Sequence, residues 1–100
     1  MEFVQVIEYT TTKYDDVRAI GNKFVQTRQA GGGPKPRSVL FLKDRDRPNT
    51  YRTVARFASY EEAMENSNRP ETAEFAARLA ELCDGAPVFR NLDITREEEM

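Results

Sequence analysis

Val54 to Phe89 reads V-A-R-F-A-S-Y-E-E-A-M-E-N-S-N-R-P-E-T-A-E-F-A-A-R-L-A-E-L-C-D-G-A-P-V-F. Its first residues belong to a strand that runs from Thr50 to Ala58. Ser59 stands three residues ahead of Glu62, the spacing of a capping box, and starts a short helix through Ala63 and Met64. Asn66 to Pro70 interrupts that helix, and Pro70 suits the first turn of a new one. In this second helix Phe75, Ala76, Leu79, Ala80 and Leu82 or Cys83 share an apolar stripe, while Glu71, Glu74, Arg78 and Glu81 take the wet side. Gly85 is the stop, and Pro87 to Ile94 reads as a closing strand. This half of the chain is therefore strand, broken helix, strand.

The other half repeats that order. Glu2 to Tyr9, E-F-V-Q-V-I-E-Y, is rich in β-branched and aromatic residues and has strand length. From about residue 13 to 29 the spacing of Val17, Ile20, Phe24 and Val25 predicts an amphipathic helix, with Asp15 and Asp16 in the first turn and Arg28 near the last, as the helix dipole favours. A-G-G-G-P-K-P-R then breaks regular structure and reads as a connector. A phosphate-binding loop would need a Gly-Lys-Ser/Thr ending that leads into a helix, and a strand follows instead. Ser38 to Lys43 is that strand, and the polar loop Asp44 to Asn49 turns it into the strand from Thr50.

Strand, helix, strand, strand, helix, strand is the split βαβ, ferredoxin-like order: an α+β fold with a four-stranded antiparallel sheet and helices on one face. One domain covers residues 1–100, with 95–100 expected to fray. The first two strands carry aliphatic residues on both parities, among them Val4 and Val6 and then Leu40 and Leu42. A sheet with one face in water would alternate instead. The chain has no helix left to cover the second face, so the economical cover is a second copy packed sheet to sheet as a homodimer.

Composition narrows the function classes. Fifteen basic against seventeen acidic residues leave a formal charge of -2, which gives no field to attract nucleic acid or an anionic membrane. No long apolar run or basic-then-apolar leader is visible, and Cys83 is the only cysteine, so a reducing cytoplasm is the expected location and no membrane partner is expected. Histidine and tryptophan are both absent, which removes the imidazole that most often ligates haem, zinc or iron. No metal and no cofactor are expected.

In F-A-S-Y-E-E-A-M, R-P-E-T-A-E-F-A-A-R-L-A-E-L and G-A-P-V-F-R-N-L-D the chain resembles the dimeric α/β-barrel superfamily, in particular its antibiotic-biosynthesis-monooxygenase-like branch. The resemblance implies two ferredoxin-like sheets packed as a barrel and a cleft between sheet and helices that takes aromatic polyphenols, with Asn, Trp, Tyr and Arg as the working groups. The absence of histidine separates the chain from the haem-degrading relatives.

The catalytic candidates are Arg56, Arg90, Tyr60 and Asn91. A guanidinium fixed in a cleft stabilises an enolate or phenolate, a tyrosine donates a hydrogen bond or proton, and an asparagine orients a carbonyl. An ion pair with Glu8, Asp93 or a partner subunit is the structural alternative for the arginines. Tyr9, Tyr51, Met64, Phe75 and Leu79 are the candidates for lining a substrate site; as residues at strand and helix spacing, they also read as core. Asn66 and Asn68 read as turn residues at the helix break, and Cys83 as a small buried hydrophobe. Three functions fit: a cofactor-independent monooxygenase or isomerase acting on an aromatic or polyketide-like molecule, a non-catalytic small-molecule-binding dimer, and a structural or interaction dimer with a filled interior.

Overall fold

A computed structural model describes residues 1–100, the side chain of Gln29 excepted. The elements are β1 (Phe3–Thr10), α1 (Tyr14–Gly31), β2 (Ser38–Lys43), β3 (Thr50–Phe57), α2 (Tyr60–Ser67), α3 (Pro70–Leu82) and β4 (Val88–Asp93). The four strands form one antiparallel sheet in the order β2-β3-β1-β4. The α+β, ferredoxin-like order expected from the sequence is the order observed. Each strand and helix lies within two or three residues of its expected position.

Local chemistry explains the boundaries. Ser59 is extended, and its hydroxyl accepts the Glu62 N–H at 3.2 Å, the capping interaction that the sequence announces. Pro70 occupies the first turn of α3, where no intrahelical N–H is needed. In the β2–β3 loop Asp44 accepts N–H bonds from Asp46 and Arg47 while its other oxygen holds Arg52 at 2.9 Å. Asn49 then takes a positive φ of 58°, a conformation asparagine tolerates.

One detail departs from the sequence reading. Helix α1 continues into the glycine run as far as Gly31, because arginines close its end: Arg28 donates to the Pro34 carbonyl and Arg69 to the Gly32 carbonyl. The connector is thereby packed against the α2–α3 joint, and a Cβ at Gly31 or Gly33 would overlap the Arg69 guanidinium. The C-terminal residues have no regular structure, yet Ile94 N–H bonds the Glu2 carbonyl at 3.1 Å and Glu97 pairs with Arg56 at 2.6 Å.

Register assigns the two faces of the sheet. Phe3, Gln5, Ile7 and Tyr9 of β1 align with Phe57, Ala55, Thr53 and Tyr51 of β3. Buried Phe3 and Phe57 pack on Ala63 of α2, and buried Tyr9 packs with Val17 of α1 and Leu79 of α3, so this parity faces the helices. The core is divided accordingly. One cluster, Phe3, Phe57 and Ala63 with Ala55 and Met64, lies under α2. The other, Tyr9, Val17 and Leu79 with Ile7, Ile20, Tyr51, Phe75, Leu82 and Cys83, lies under α1 and α3.

The opposite parity carries three cross-strand rows: Ser38–Arg56–Val4–Leu92, Leu40–Val54–Val6–Arg90 and Leu42–Arg52–Glu8–Val88. No helix covers them, and Leu40 is 58% exposed. Two of the three arginines in these rows are paired with carboxylates of the chain. Arg52 pairs with Glu8 and Asp44, both at 2.9 Å, and Arg56 pairs with Glu2 and Glu97. Apart from Arg90 of the middle row, what remains there is aliphatic.

Candidate functional site

The helix-facing side of the sheet brings four of the expected residues together. Tyr9, Tyr51, Phe75 and Leu79 all belong to the cluster under α1 and α3. Tyr9 and Tyr51 are cross-strand partners, and their rings stack with centroids 5.7 Å apart. Tyr14, from the first turn of α1, extends the stack over Tyr51 at 4.4 Å. These contacts follow from elementary geometry: aligned residues of an antiparallel pair put their side chains side by side on one face. Helix α1 starts four residues after β1 ends, which returns its first turn to the same end of the sheet.

The Tyr9 phenol is distinctive. Burial is the main cause that pushes its pKa up to about 12, reinforced by the neighbouring Tyr14 and opposed by a hydrogen bond with the Thr53 side chain. It therefore stays protonated through the physiological range, a neutral donor held between sheet and helices. Cys83 packs against the same cluster, and burial raises its thiol above the ordinary value, so it is a poor nucleophile.

Threonine fixes this end of the molecule. The buried Thr11 donates its hydroxyl to the Leu82 carbonyl at 2.6 Å and accepts the Lys13 N–H at 2.9 Å. Asp84 N–H bonds the Thr10 carbonyl at 2.8 Å and Thr11 N–H bonds the Asn49 carbonyl at 2.9 Å. The ends of β1 and α3, the start of α1 and the β2–β3 loop are thus joined around the tyrosine set.

The other expected residues lie elsewhere. Met64 packs on the cluster under α2, and Tyr60, 49% exposed, sets its ring edge-on to Phe3 at 5.3 Å. Asn91 faces the helix side from edge strand β4 and accepts a 3.3 Å bond from the Gln5 amide. Arg56 and Arg90 lie on the opposite, uncovered face by register. The two carboxylates beside Arg56 raise its pKa further, and in turn it holds Glu2 and Glu97 below the ordinary carboxylate value. The partners expected for these arginines are Glu8, Asp93 or a partner subunit; Glu8 pairs with Arg52 instead.

Sequence reasoning did not single out Tyr14 or Thr53. Thr53 carried a usable signal, since it shares the parity of Tyr51 two residues away. Tyr14 carried none, because its stack depends on where the helix lands. Among the described residues no group of three or more His, Cys, Asp or Glu side chains is placed to hold a metal ion. No described helix is long and apolar enough to cross a membrane.

The fold is that of antibiotic-biosynthesis-monooxygenase-like proteins of known structure. A candidate antibiotic biosynthesis monooxygenase from Caulobacter crescentus is 14% identical, with a TM-score of 0.78 over 95% of this chain and 91% of that one. Rv0793 from Mycobacterium tuberculosis is 16% identical, with a TM-score of 0.77 over 99% and 100%. SnoaB, a cofactor-independent oxygenase from Streptomyces nogalater, is 14% identical, with a TM-score of 0.77 over 96% and 95%. Neither a family model nor a curated protein sequence matches the chain. At these identities the likeness is one of fold.

Proposed function

We propose that the chain is a cofactor-independent monooxygenase of an aromatic or polyketide-like small molecule, acting as a homodimer joined through the uncovered sheet face. The observation that carries the reading is the shared fold with a cofactor-independent oxygenase across nearly the whole of both chains. The tyrosine set supports it.

In such a reaction the activated carbon of the substrate loses a proton, and the resulting carbanion supplies the electrons that reduce dioxygen. One oxygen atom stays on the carbon as a carbonyl and the other leaves as water with the two hydrogens of the original methylene, so CH2 and O2 become C=O and H2O. The protein's part is to exclude water and to stabilise the charge that moves onto the substrate oxygen as the proton leaves. Tyr9, whose phenol is neutral at physiological pH, is the proposed donor to that oxygen, with Tyr51, Phe75 and Leu79 as its packed neighbours. Asn91, Tyr60 and Met64 stand as further contacts on the helix side. The aliphatic rows with Leu40, Val54 and Val6 are proposed as the dimer seam, with Arg90 at its margin and Arg56 tied by its own carboxylates.

A second reading, a binding dimer without turnover, is favoured by one specific observation. Arg56 and Arg90 occupy the face away from the tyrosines, which leaves no guanidinium of theirs beside Tyr9. Aerobic incubation with anthrone-type phenols, followed by quinone absorbance, separates the readings. Acceleration that is lost in Tyr9→Phe supports the oxygenase. Binding without acceleration supports the binding dimer. Neither across a broad panel of phenols leaves the dimer with a filled interior and overturns the proposal.

A further inference from the structure

The helices cover their side of the sheet unevenly. On the helix-facing parity three rows run across β2, β3 and β1: Val39–Ala55–Gln5, Phe41–Thr53–Ile7 and Lys43–Tyr51–Tyr9. Tyr9 is buried, Tyr51 and Thr53 are half-buried, and Phe41 is 69% exposed. Both core clusters draw their strand residues from β1 and β3, and among the described residues none comes from β2. Val39, Phe41 and Lys43 therefore form an open shelf on the same side as the tyrosines, one strand further out.

The shelf changes character along its length. Phe41 stands beside Thr53, and aligned neighbours of an antiparallel pair hold their Cβ atoms roughly 5 Å apart. Thr53 in turn shares a hydrogen bond with the Tyr9 phenol. Two residues along β2, about 7 Å away on the same face, Lys43 stands beside Tyr51, whose ring stacks with Tyr9 and Tyr14. Lys43 also lines an open hollow of about 620 Å³ that the β2–β3 loop forms from Asp44 to Asn49. Asp44 is taken there by Arg52 and by two backbone N–H groups. Lys43, Arg45 and Arg47 are left against Asp46, and among the described residues no carboxylate pairs with any of these three cations. An apolar ledge thus ends in a basic hollow.

An exposed ring beside unpaired cations suits a ligand with a flat apolar body and a negative group at one edge. A neutral aromatic molecule would leave the cations unused. A second copy joined through the Leu40–Val54–Val6 row would take the other parity and leave the shelf open. We propose that this shelf and the β2–β3 loop bind an aromatic acid, with the ring on Phe41 beside Thr53 and the acid group held by Lys43 at the edge of the hollow. Lys43 is then the residue that selects ligands by charge, and Phe41 is the platform. The proposal rests on the function proposed above for the aromatic class of the ligand, and adds to it a negative charge and the end of the molecule that receives it.

The probes are 2-naphthoate and 2-naphthamide, which share a shape and differ in charge. Neither has an activated methylene to oxygenate, so their binding reads the shelf apart from any turnover. Titrated calorimetrically into the full chain at low salt, naphthoate should bind about fivefold more tightly than naphthamide, and the preference should shrink as salt is raised. Lys43→Gln should remove the preference and leave naphthamide binding unchanged, and Phe41→Ala should weaken both probes about fivefold. Both side chains are exposed, so both variants should fold as the unmodified chain does. Equal binding of the two probes overturns the proposal, as do binding of neither, a preference that survives Lys43→Gln, and affinities that Phe41→Ala leaves unchanged. A lower particle mass for Phe41→Ala in light scattering also overturns it, because a second copy would then be what covers the shelf. Failure of quinone formation with anthrone-type phenols counts against the oxygenase reading alone, since the naphthoate preference does not depend on turnover.

Discussion

The two faces of this sheet are built from the same four strands and are nearly opposite in character. Toward the helices the central rows place Phe3, Phe57 and Tyr9 in full burial and stack aromatic rings. On the other side the rows carry valines and leucines of ordinary core type, but nothing in the chain covers them. The charged residues differ too. On the uncovered face Arg52 and Arg56 are each held by two carboxylates, of Glu8 and Asp44 and of Glu2 and Glu97, whereas on the helix side the packing is mainly apolar and aromatic. A face whose surface, Arg90 apart, is aliphatic between internally paired charges suits another protein surface. The side whose rows are buried under the helices is the chain's own core.

The largest effect should come from the core of the helix side. Phe57 is 1% exposed, and Phe57→Ala should cost about 3–5 kcal/mol in urea unfolding. Phe41 shares that parity on edge strand β2 but is 69% exposed, so Phe41→Ala should change stability by no more than about 0.5 kcal/mol. Equal losses would mean that the helices also cover the β2 edge. On the uncovered face Leu40→Asp should leave the fold intact by circular dichroism while raising the dimer dissociation constant by at least about a hundredfold, because it seats an unpaired carboxylate in the middle row.

Acid should act on the uncovered side. The pKa values of Glu2, Glu97 and Asp44 are lowered, with Arg56 the first cause for both glutamates and the Asp46 N–H the first for Asp44. A carboxylate depressed in the folded state contributes stability above its unfolded value and loses it as pH falls through the folded one. Melting temperature should therefore drop on acidification below the ordinary glutamate value of 4.5, and less steeply in Arg56→Gln. A smaller change belongs to the alkaline side of the helix face. Tyr9, raised from 10.0 to about 12, contributes stability that is full below pH 10 and lost as pH rises toward 12. In a titration followed at the tyrosinate absorbance one phenol should lag the others, and Tyr9→Phe should remove the lag.

The fold was legible because its signals are local or periodic. The Ser59–Glu62 capping box, Pro70 and Gly85 each mark an element end by backbone chemistry, and the two-sided strands announced that the sheet has a second face to cover. The end of α1 was not legible, since what carries it into the glycine run is Arg69, thirty-eight residues beyond Gly31. The site was legible by parity and opaque in depth. Alternation sufficed to group Tyr9 with Tyr51, but whether an arginine in a strand faces helices or the uncovered side depends on which parity the helices choose. Arg56 and Arg90 fell on the other one. Asn66 read as a turn residue because it sits at a helix break, and only its burial reveals an amide oxygen without a partner.

The division of labour between the faces is tested most directly by the mass of the unmodified chain in solution. Size-exclusion chromatography with light scattering at micromolar concentration should return twice the chain mass of 11.5 kDa. A monodisperse species of 11.5 kDa would contradict the account, because the aliphatic rows around Leu40, Val54 and Val6 would then face water.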